Sequence, residues 1–414
     1  MEKLKQKIKK FLISSQKYTK TDNIYLAKGG FWLILGRVIY IGISFLLAVA
    51  FANLLNPMTY GNYKYILSLF GALSIFSLTG MGTAITQAVA RGLEGSFYNG
   101  FKTKLKWSVL GSLIAILMSI YYLIQGNYIL GIALLSFAIF LPLMNALPVY
   151  NGFFQGKKLF NIQIKYNTVV HIISATTLII VLFLTKNIFW LIAAYFISHT
   201  ILYCFFFFLT KSKFKPNKKD DPKTISYGKH LSVMQSAGVI SGYLDRILLF
   251  TMVGAVPLAI YSFALALPTE IINILRSVST LSFPKFSAKS REEIRISVKQ
   301  KFWKFFIVVG AVTLLYIIVC PYIYKIFFPQ YLDSIFYSQL FSLSLLTAPT
   351  ALMTTAFKAK AMKRELYILQ GLSLLRIILF FCLIPFFGVL GVLISILGTC
   401  FLSIIVTIFL FRKF

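Results

Sequence analysis

Six ionisable residues stand inside stretches that are otherwise apolar: Arg37, Asp245, Arg246, Glu270, Arg276 and Arg376. A charge near the centre of a bilayer costs about 2.5–3.5 kcal/mol on insertion scales, so these side chains must face one another or water rather than lipid. Four guanidiniums against two carboxylates leave two positive charges in surplus. A hollow with that surplus and low-dielectric walls draws in an anion. Arginine suits a phosphate because its planar fork donates two parallel hydrogen bonds, which lysine cannot copy. Arg37 and Arg246 are the leading anion-binding candidates, and Arg276 and Arg376 complete the set. Asp245 or Glu270 is a candidate cavity carboxylate that takes up a coupling proton or cation, because burial raises a carboxyl pKa toward the physiological range. The plainer reading makes all six structural ion pairs that fix helix register. Two carboxylates cannot neutralise four guanidiniums, however, which favours a substrate role for part of the set.

Those charges are carried by twelve apolar runs, roughly 29–52, 65–89, 107–125, 127–153, 166–185, 187–210, 231–253, 256–282, 302–322, 332–357, 366–386 and 388–411. A helix needs about 20 residues to cross a bilayer core, and each run supplies enough. Arg376 and Glu270 then sit near mid-span, Arg37 and Arg276 toward the cytoplasmic third, and Asp245 and Arg246 somewhat beyond the middle. Of the 42 Lys and Arg residues, 35 lie in the N-terminal arm, in alternate loops or at their edge, or in the C-terminal tail. The opposite face shows Lys64, Lys186 and Lys325. The positive-inside rule therefore puts both termini in the cytoplasm and requires an even number of crossings.

Composition agrees with this reading. With 58% hydrophobic residues and a mean hydropathy of +0.81, the chain is an integral membrane protein, since soluble domains are nearer about half apolar. The net charge of +31 sits at span ends, beside membrane lipid head groups, and implies no nucleic-acid partner. Met1 to Thr21 has only Phe11, Leu12 and Ile13 as an apolar cluster, too short for a signal peptide. Cys204, Cys320, Cys382 and Cys400 lie within spans without metal or disulfide spacing, so no metal site is expected. The longest loops are 211–230 and 283–301. No nucleotide-binding, zinc-hydrolase or nucleophile-elbow motif is present, so neither an enzyme nor a cofactor is expected.

The 211–230 segment, with Pro216 and Pro222, divides the spans six and six. The resulting organisation is a basic cytoplasmic arm (1–28), a six-helix bundle (29–210), a cytoplasmic linker (211–230) and a second six-helix bundle (231–414), an arrangement common in transporters built from related halves. Faint internal similarity agrees: Tyr60-Gly61-Asn62-Tyr63 follows span 1 as Leu258-Ala259-Ile260-Tyr261 follows span 7, and spans 4 and 10 carry Pro148 and Pro349. Prolines at 142, 148, 268 and 349 bend their helices where protein or water satisfies the freed carbonyl. The bends serve either motion or packing. His171 and His199 read as packing residues, and Phe205 to Phe208 as a lipid-facing anchor.

Asn56-Pro57 with Tyr60-Gly61-Asn62-Tyr63, Leu244-Asp245-Arg246-Ile247, Ala259-Ile260-Tyr261, Phe283-Pro284-Lys285-Phe286-Ser287 and Pro385-Phe386-Phe387-Gly388-Val389-Leu390-Gly391 together resemble the polysaccharide flippases of the multidrug/oligosaccharidyl-lipid/polysaccharide exporter superfamily. The resemblance spans essentially the whole chain and rests on the joint order of loose motifs. It implies an all-α membrane protein of twelve transmembrane helices, in two six-helix bundles around a central cavity. It further implies carriage of an undecaprenyl-pyrophosphate-linked oligosaccharide from the inner to the outer leaflet of the bacterial inner membrane, for O-antigen or capsule assembly. A polysaccharide polymerase and a chain-length regulator are the implied protein partners. In related lipid II flippases an arginine of the first helix and charges of the seventh and eighth line the cavity. Arg37, Asp245, Arg246, Glu270 and Arg276 hold comparable places, the match of Arg276, like that of Arg376, being one of position alone. The alternative is a cation-coupled small-molecule exporter of the same superfamily, or a transporter of the major-facilitator type. A membrane acyltransferase or polymerase would need a histidine with a polar catalytic partner, which the sequence does not display.

Overall fold

The computed structural model describes residues 23–280, 286, 290–360, 362–412 and 414. The basic arm up to Thr21 and the Phe283-Pro284-Lys285 and Ser287 positions of the resemblance lie outside the described residues. The described chain is helical throughout, with no strand among the described residues. In order come α1 (Asn23–Leu54), α2 (Pro57–Leu73), α3 (Met81–Ala90), α4 (Ser96–Ile124), α5 (Tyr128–Ala146), α6 (Tyr150–Gly156), α7 (Phe160–Leu184) and α8 (Ile188–Phe214). They are followed by α9 (Pro222–Met252), α10 (Ala255–Thr280), α11 (Arg291–Phe327), α12 (Ser334–Ser342), α13 (Thr350–Ala359), α14 (Lys363–Phe387) and α15 (Val389–Arg412). Nine of the described helices are long and apolar enough to cross a membrane, and eleven spans result if two bent pairs each count once. The chain is a multi-pass membrane protein. The run that fails the apolarity test is α9, which carries Lys223, Lys229, Asp245 and Arg246 along its 31 residues.

Helix boundaries follow local chemistry. Asn56 accepts from the Thr59 N–H ahead of Pro57 at the start of α2, and Asp221 accepts from Lys223 ahead of Pro222 at the start of α9. Proline at the first helical turn sacrifices no intrahelical bond, and the preceding Asn or Asp satisfies an orphan donor. Ser290 and Glu293 close a reciprocal capping box at α11. The linker that joins α8 to α9 is therefore short in coil, 215–221.

The bends are specific. The α5–α6 junction passes through a 3-10 turn, Leu147–Val149, holding Pro148. The α12–α13 junction passes through Leu343–Thr347 and turns by 41° at Pro349. Both junctions thus combine a 3-10 turn with a proline. A bend of 49° between Ser77 and Met81 has no proline; Leu78 adopts a left-handed φ of 56° there.

Packing joins near neighbours first. α4 lies along α5, where Ser112 and Ser119 donate to the Ala138 and Gly131 carbonyls at 2.7 and 2.6 Å. Small residues let helix backbones approach closely in lipid, where dispersion contacts replace the hydrophobic effect. α1 packs on α7, α7 on α8 and α5 on α8; in the later part, α14 packs on α15 and α10 on α12. The two sets meet through α2 against α9 and α10, and α3 against α9.

Candidate functional site

Between these sets lies a cavity of about 610 Å³. Its walls come from α1, α2, α7, α8, α9 and α10, so its lining residues span positions 40 to 270 of the sequence, with Phe328 beyond α11. Four tyrosines line it, Tyr40, Tyr60, Tyr63 and Tyr195, together with His171 and His199. The charged lining residues are Lys64, Arg246 and Glu270. A smaller hollow of about 210 Å³ adjoins it, sharing Tyr40, Ile43 and His171, and is lined by Arg37, Gln163 and Asn167.

Arg37 of α1 and Glu270 of α10 pair across the junction of the two hollows, Nη2 to Oε2 at 2.6 Å. The Arg37 Nε is buried and has no hydrogen-bond partner. The guanidinium also lies over the Tyr40 ring at 5.4 Å. One carboxylate thus holds one face of Arg37 and leaves donor capacity unused.

Asp245 and Arg246 are adjacent in sequence but divided in role. The Asp245 carboxylate is buried, accepts the Tyr261 hydroxyl at 2.5 Å and accepts the backbone N–H of Arg246 at 2.8 Å. The Arg246 side chain enters the large cavity instead, and no carboxylate lies within ion-pair distance of it among the described residues. Arg276 donates to Thr347 at 3.1 Å. Arg376 donates through Nε to Thr399 at 2.8 Å and reaches the Cys400 sulfur at 3.9 Å. Neither lines the cavity. The structure therefore places Arg246 and Glu270 on one cavity, with Arg37 paired to Glu270 from the adjoining hollow, and leaves Asp245, Arg276 and Arg376 in hydrogen-bonded settings outside both.

Residues that the sequence reading passed over complete the lining. Lys64, taken above as lying outside span 2, is in the second turn of α2 and faces the cavity, because α2 starts at Pro57 rather than at 65. Its polar neighbours Asn62 and Tyr63 had pushed the apolar window inward; the Asn56-Pro57 cap was the signal that could have placed it. His171 and His199 border the cavity, with His199 Nδ1 2.8 Å from the Tyr195 carbonyl oxygen. Of the Phe205–Phe208 run, Phe205 and Phe208 are exposed but Phe206 and Phe207 are buried, since a helix cannot aim four successive residues at one face.

Aromatic packing joins the two helix sets at the wall of the cavity. Tyr60 stacks on Phe263 at 4.6 Å, Phe263 meets Tyr331 at 4.0 Å, and Phe45 meets Phe327 at 5.1 Å. Asn53 donates to the Phe327 carbonyl at 3.0 Å beside them.

Residues 26–290 match the family described as polysaccharide biosynthesis protein. The chain belongs to that family. No curated protein is matched by its sequence. The fold of this polysaccharide biosynthesis protein is similar to a lipid II flippase, MurJ, in an inward closed conformation, with a TM-score of 0.70 and 14% identity over 92% of this chain and 87% of that one. It is also similar to an inward-facing multidrug resistance MATE family transporter of the MOP superfamily (TM-score 0.61, 13% identity, 91% of this chain and 93% of that one). A MOP superfamily transporter from Pyrococcus furiosus, with a binding pocket of reversed polarity, resembles it at a TM-score of 0.56 and 14% identity, covering 93% and 95% of the two chains. The family's chain thus has the fold seen in MOP-superfamily transporters.

Proposed function

We propose that this protein carries undecaprenyl-pyrophosphate-linked oligosaccharide units from the inner to the outer leaflet of the bacterial inner membrane, for assembly of an O-antigen, capsule or related surface glycan. The observation that carries the reading is the convergence of Arg246 and the Arg37–Glu270 pair on one tyrosine-lined cavity between the two helix sets. Membership of the polysaccharide biosynthesis family supports the cargo class. In this account the spans are twelve, counting the polar α9 with the nine apolar helices and two bent pairs, and they form two six-helix bundles with both termini in the cytoplasm. The bundles comprise 29–210 and 231–414, the first preceded by the 1–28 arm and the two joined by the 211–230 linker.

The mechanism follows from solvation. A pyrophosphate and its sugars cannot shed water into about 30 Å of hydrocarbon without a prohibitive cost. Arg37 and Arg246 replace the water around the phosphates, tyrosine hydroxyls and histidine nitrogens replace it around sugar hydroxyls, and the prenyl tail stays in lipid. Rocking of one bundle against the other then exposes the cavity to each side in turn. Covalent chemistry has no part in this, and Glu270 returns Arg37 to a neutralised state once the cargo leaves. Arg276 and Arg376 support the second bundle through Thr347 and Thr399, which narrows the cargo-binding arginines to Arg37 and Arg246.

Deleting the gene is expected to leave lipid-linked units in the inner leaflet and to strip the cell of the glycan, with wild type restoring it. Arg37→Ala and Arg246→Ala are expected to insert normally and to restore less than a tenth of the surface glycan. Full restoration by both variants would remove the anion-cradle assignment.

A further inference from the structure

The cavity charges occupy two levels. The C-terminus of α1 and the N-terminus of α2 lie at the same end as the α9–α10 turn, since Gly61 touches the Ala255 backbone and Asn53 reaches Phe327. Counting from that end, Lys64 is seven residues after Pro57 and Arg246 is six before Met252. At 1.5 Å of rise per residue both lie about 10 Å inside it. Arg37 is seventeen residues before Leu54 and Glu270 fifteen after Ala255. That puts their pair roughly 22–26 Å inside, well over 10 Å deeper than the first level.

The two levels differ in how their charge is met. The deep arginine already has a carboxylate. The shallow pair has none: neither Lys64 nor Arg246 is ion-paired among the described residues, and they lie within electrostatic reach of one another. Asp245 tempers Arg246 from the next position, but its oxygens are taken by the Tyr261 hydroxyl and the Arg246 backbone N–H. The Lys64 ammonium lies 5.3 Å from the Tyr60 ring centroid, a contact that consumes none of its three donors. Two cations without an ion-pair contact among apolar helices are costly unless water or an anion completes them. A planar fork beside a point charge fits a group with two linked anionic centres, one meeting the bidentate donor and the other the ammonium.

We propose that Lys64 and Arg246 form an outer diphosphate station, to which the head group passes after competing with Glu270 for Arg37 at the deep level. This rests on the reading of the cargo as a diphosphate-linked lipid. It adds a residue, Lys64, and an order of events. The paired deep site is entered only by displacing a carboxylate and holds cargo weakly, whereas the unpaired outer site holds it more strongly.

The test is a binding titration of the full chain in lipid nanodiscs, with undecaprenyl pyrophosphate as probe and undecaprenol as its phosphate-free control. Wild type is expected to bind the diphosphate lipid and to prefer it strongly over undecaprenol. Lys64→Gln and Arg246→Gln should each weaken binding about tenfold or more, as loss of a charge-assisted hydrogen bond does. Lys64→Arg should bind within about threefold of wild type, and Arg37→Gln should lose less than either outer variant. If Lys64→Gln binds like wild type while Arg246→Gln is weakened, the outer station is overturned and the cargo reading stands. If Lys64→Arg is as weak as Lys64→Gln, the lysine serves structure and the proposal is likewise overturned. Wild type that cannot distinguish the diphosphate lipid from undecaprenol overturns both readings together.

Discussion

Tyr261 decides what Arg246 is free to do. By donating to the Asp245 carboxylate from the facing helix it supplies a partner that the neighbouring guanidinium would otherwise provide. Tyr261→Phe keeps the ring and removes that donor. A buried acceptor that loses its donor costs about 1–3 kcal/mol, so the variant should unfold several degrees lower in detergent and export less glycan, as Asp245 turns to Arg246. Wild-type thermal stability together with wild-type export would contradict this division of roles. Three of the six charges read from the sequence converge on the cavity, and the logic of insertion cost is what found them. Their partners were not readable in the same way. Glu270 lies 233 positions from Arg37, and Thr347 and Thr399 look like any small polar residue in an apolar run. A surplus of cations showed that some arginines lacked carboxylates, yet not that hydroxyls would hold Arg276 and Arg376.

Among the elements, α2 and α10 form a close seam between the helix sets at the cavity wall. Gly61 sits where any Cβ would collide with the Ala255 carbonyl. Gly61→Val should therefore force the two helices apart, and is expected to make a cysteine placed at the cavity-lining Ser262 react with a membrane-impermeant thiol reagent from the outer side far faster than in the parent. Equal labelling rates would show that the seam does not depend on this approach. At the opposite end the linker is fastened to the α3–α4 loop. Gly95 N–H donates to the Lys219 carbonyl at 2.7 Å, Ser96 and Asn99 donate to Asp220 at 2.9 and 2.5 Å, and Glu94 accepts from the Asn217 N–H at 3.0 Å while pairing with Lys157. Burial works to raise the Glu94 carboxyl, but hydrogen bonds from Lys157 and Asn217 and the Lys157 charge outweigh it and hold it below the usual range. A carboxyl depressed in the fold stabilises it above the unfolded value of about 4.3 and gives that stability up as pH falls through the folded value. Protease nicking of 215–221 in detergent should rise below about pH 4 for wild type, and at neutral pH already for Glu94→Gln; nicking of the variant at the wild-type rate at pH 7 would contradict the fastening. Proline announced the bend at 349 in the sequence. The bend at Leu78 had no such marker, because its left-handed backbone falls on a leucine, a residue type that gives no warning of it.

At the scale of the whole molecule, hydropathy and the distribution of Lys and Arg were enough to read a helical multi-pass protein, because bilayer thickness imposes span length on any sequence that crosses it. The sequence reads 231–253 as an apolar run, whereas α9, which contains it, is not among the described helices apolar enough to cross a membrane. This helix meets both helix sets, its Ser232 hydroxyl accepting the Gly80 N–H toward one end and its Arg246 lining the cavity toward the other, so polar side chains along it find protein partners or the cavity. The arrangement of α2, α3, α9 and α10 between the sets could not be read from periodicity, which reports which face is apolar but not which helix it meets. In the proposed function, basic side chains in this hollow stand in for water around a diphosphate on its way across the membrane. Reconstitution in proteoliposomes with a fluorescent undecaprenyl-pyrophosphate oligosaccharide, followed by addition of a membrane-impermeant quencher, tests it most directly. The protein is predicted to speed equilibration of the probe between leaflets well above empty liposomes, and the Arg37→Ala, Arg246→Ala double variant to fall to the empty-liposome rate. Equilibration by the double variant as fast as by wild type would contradict it.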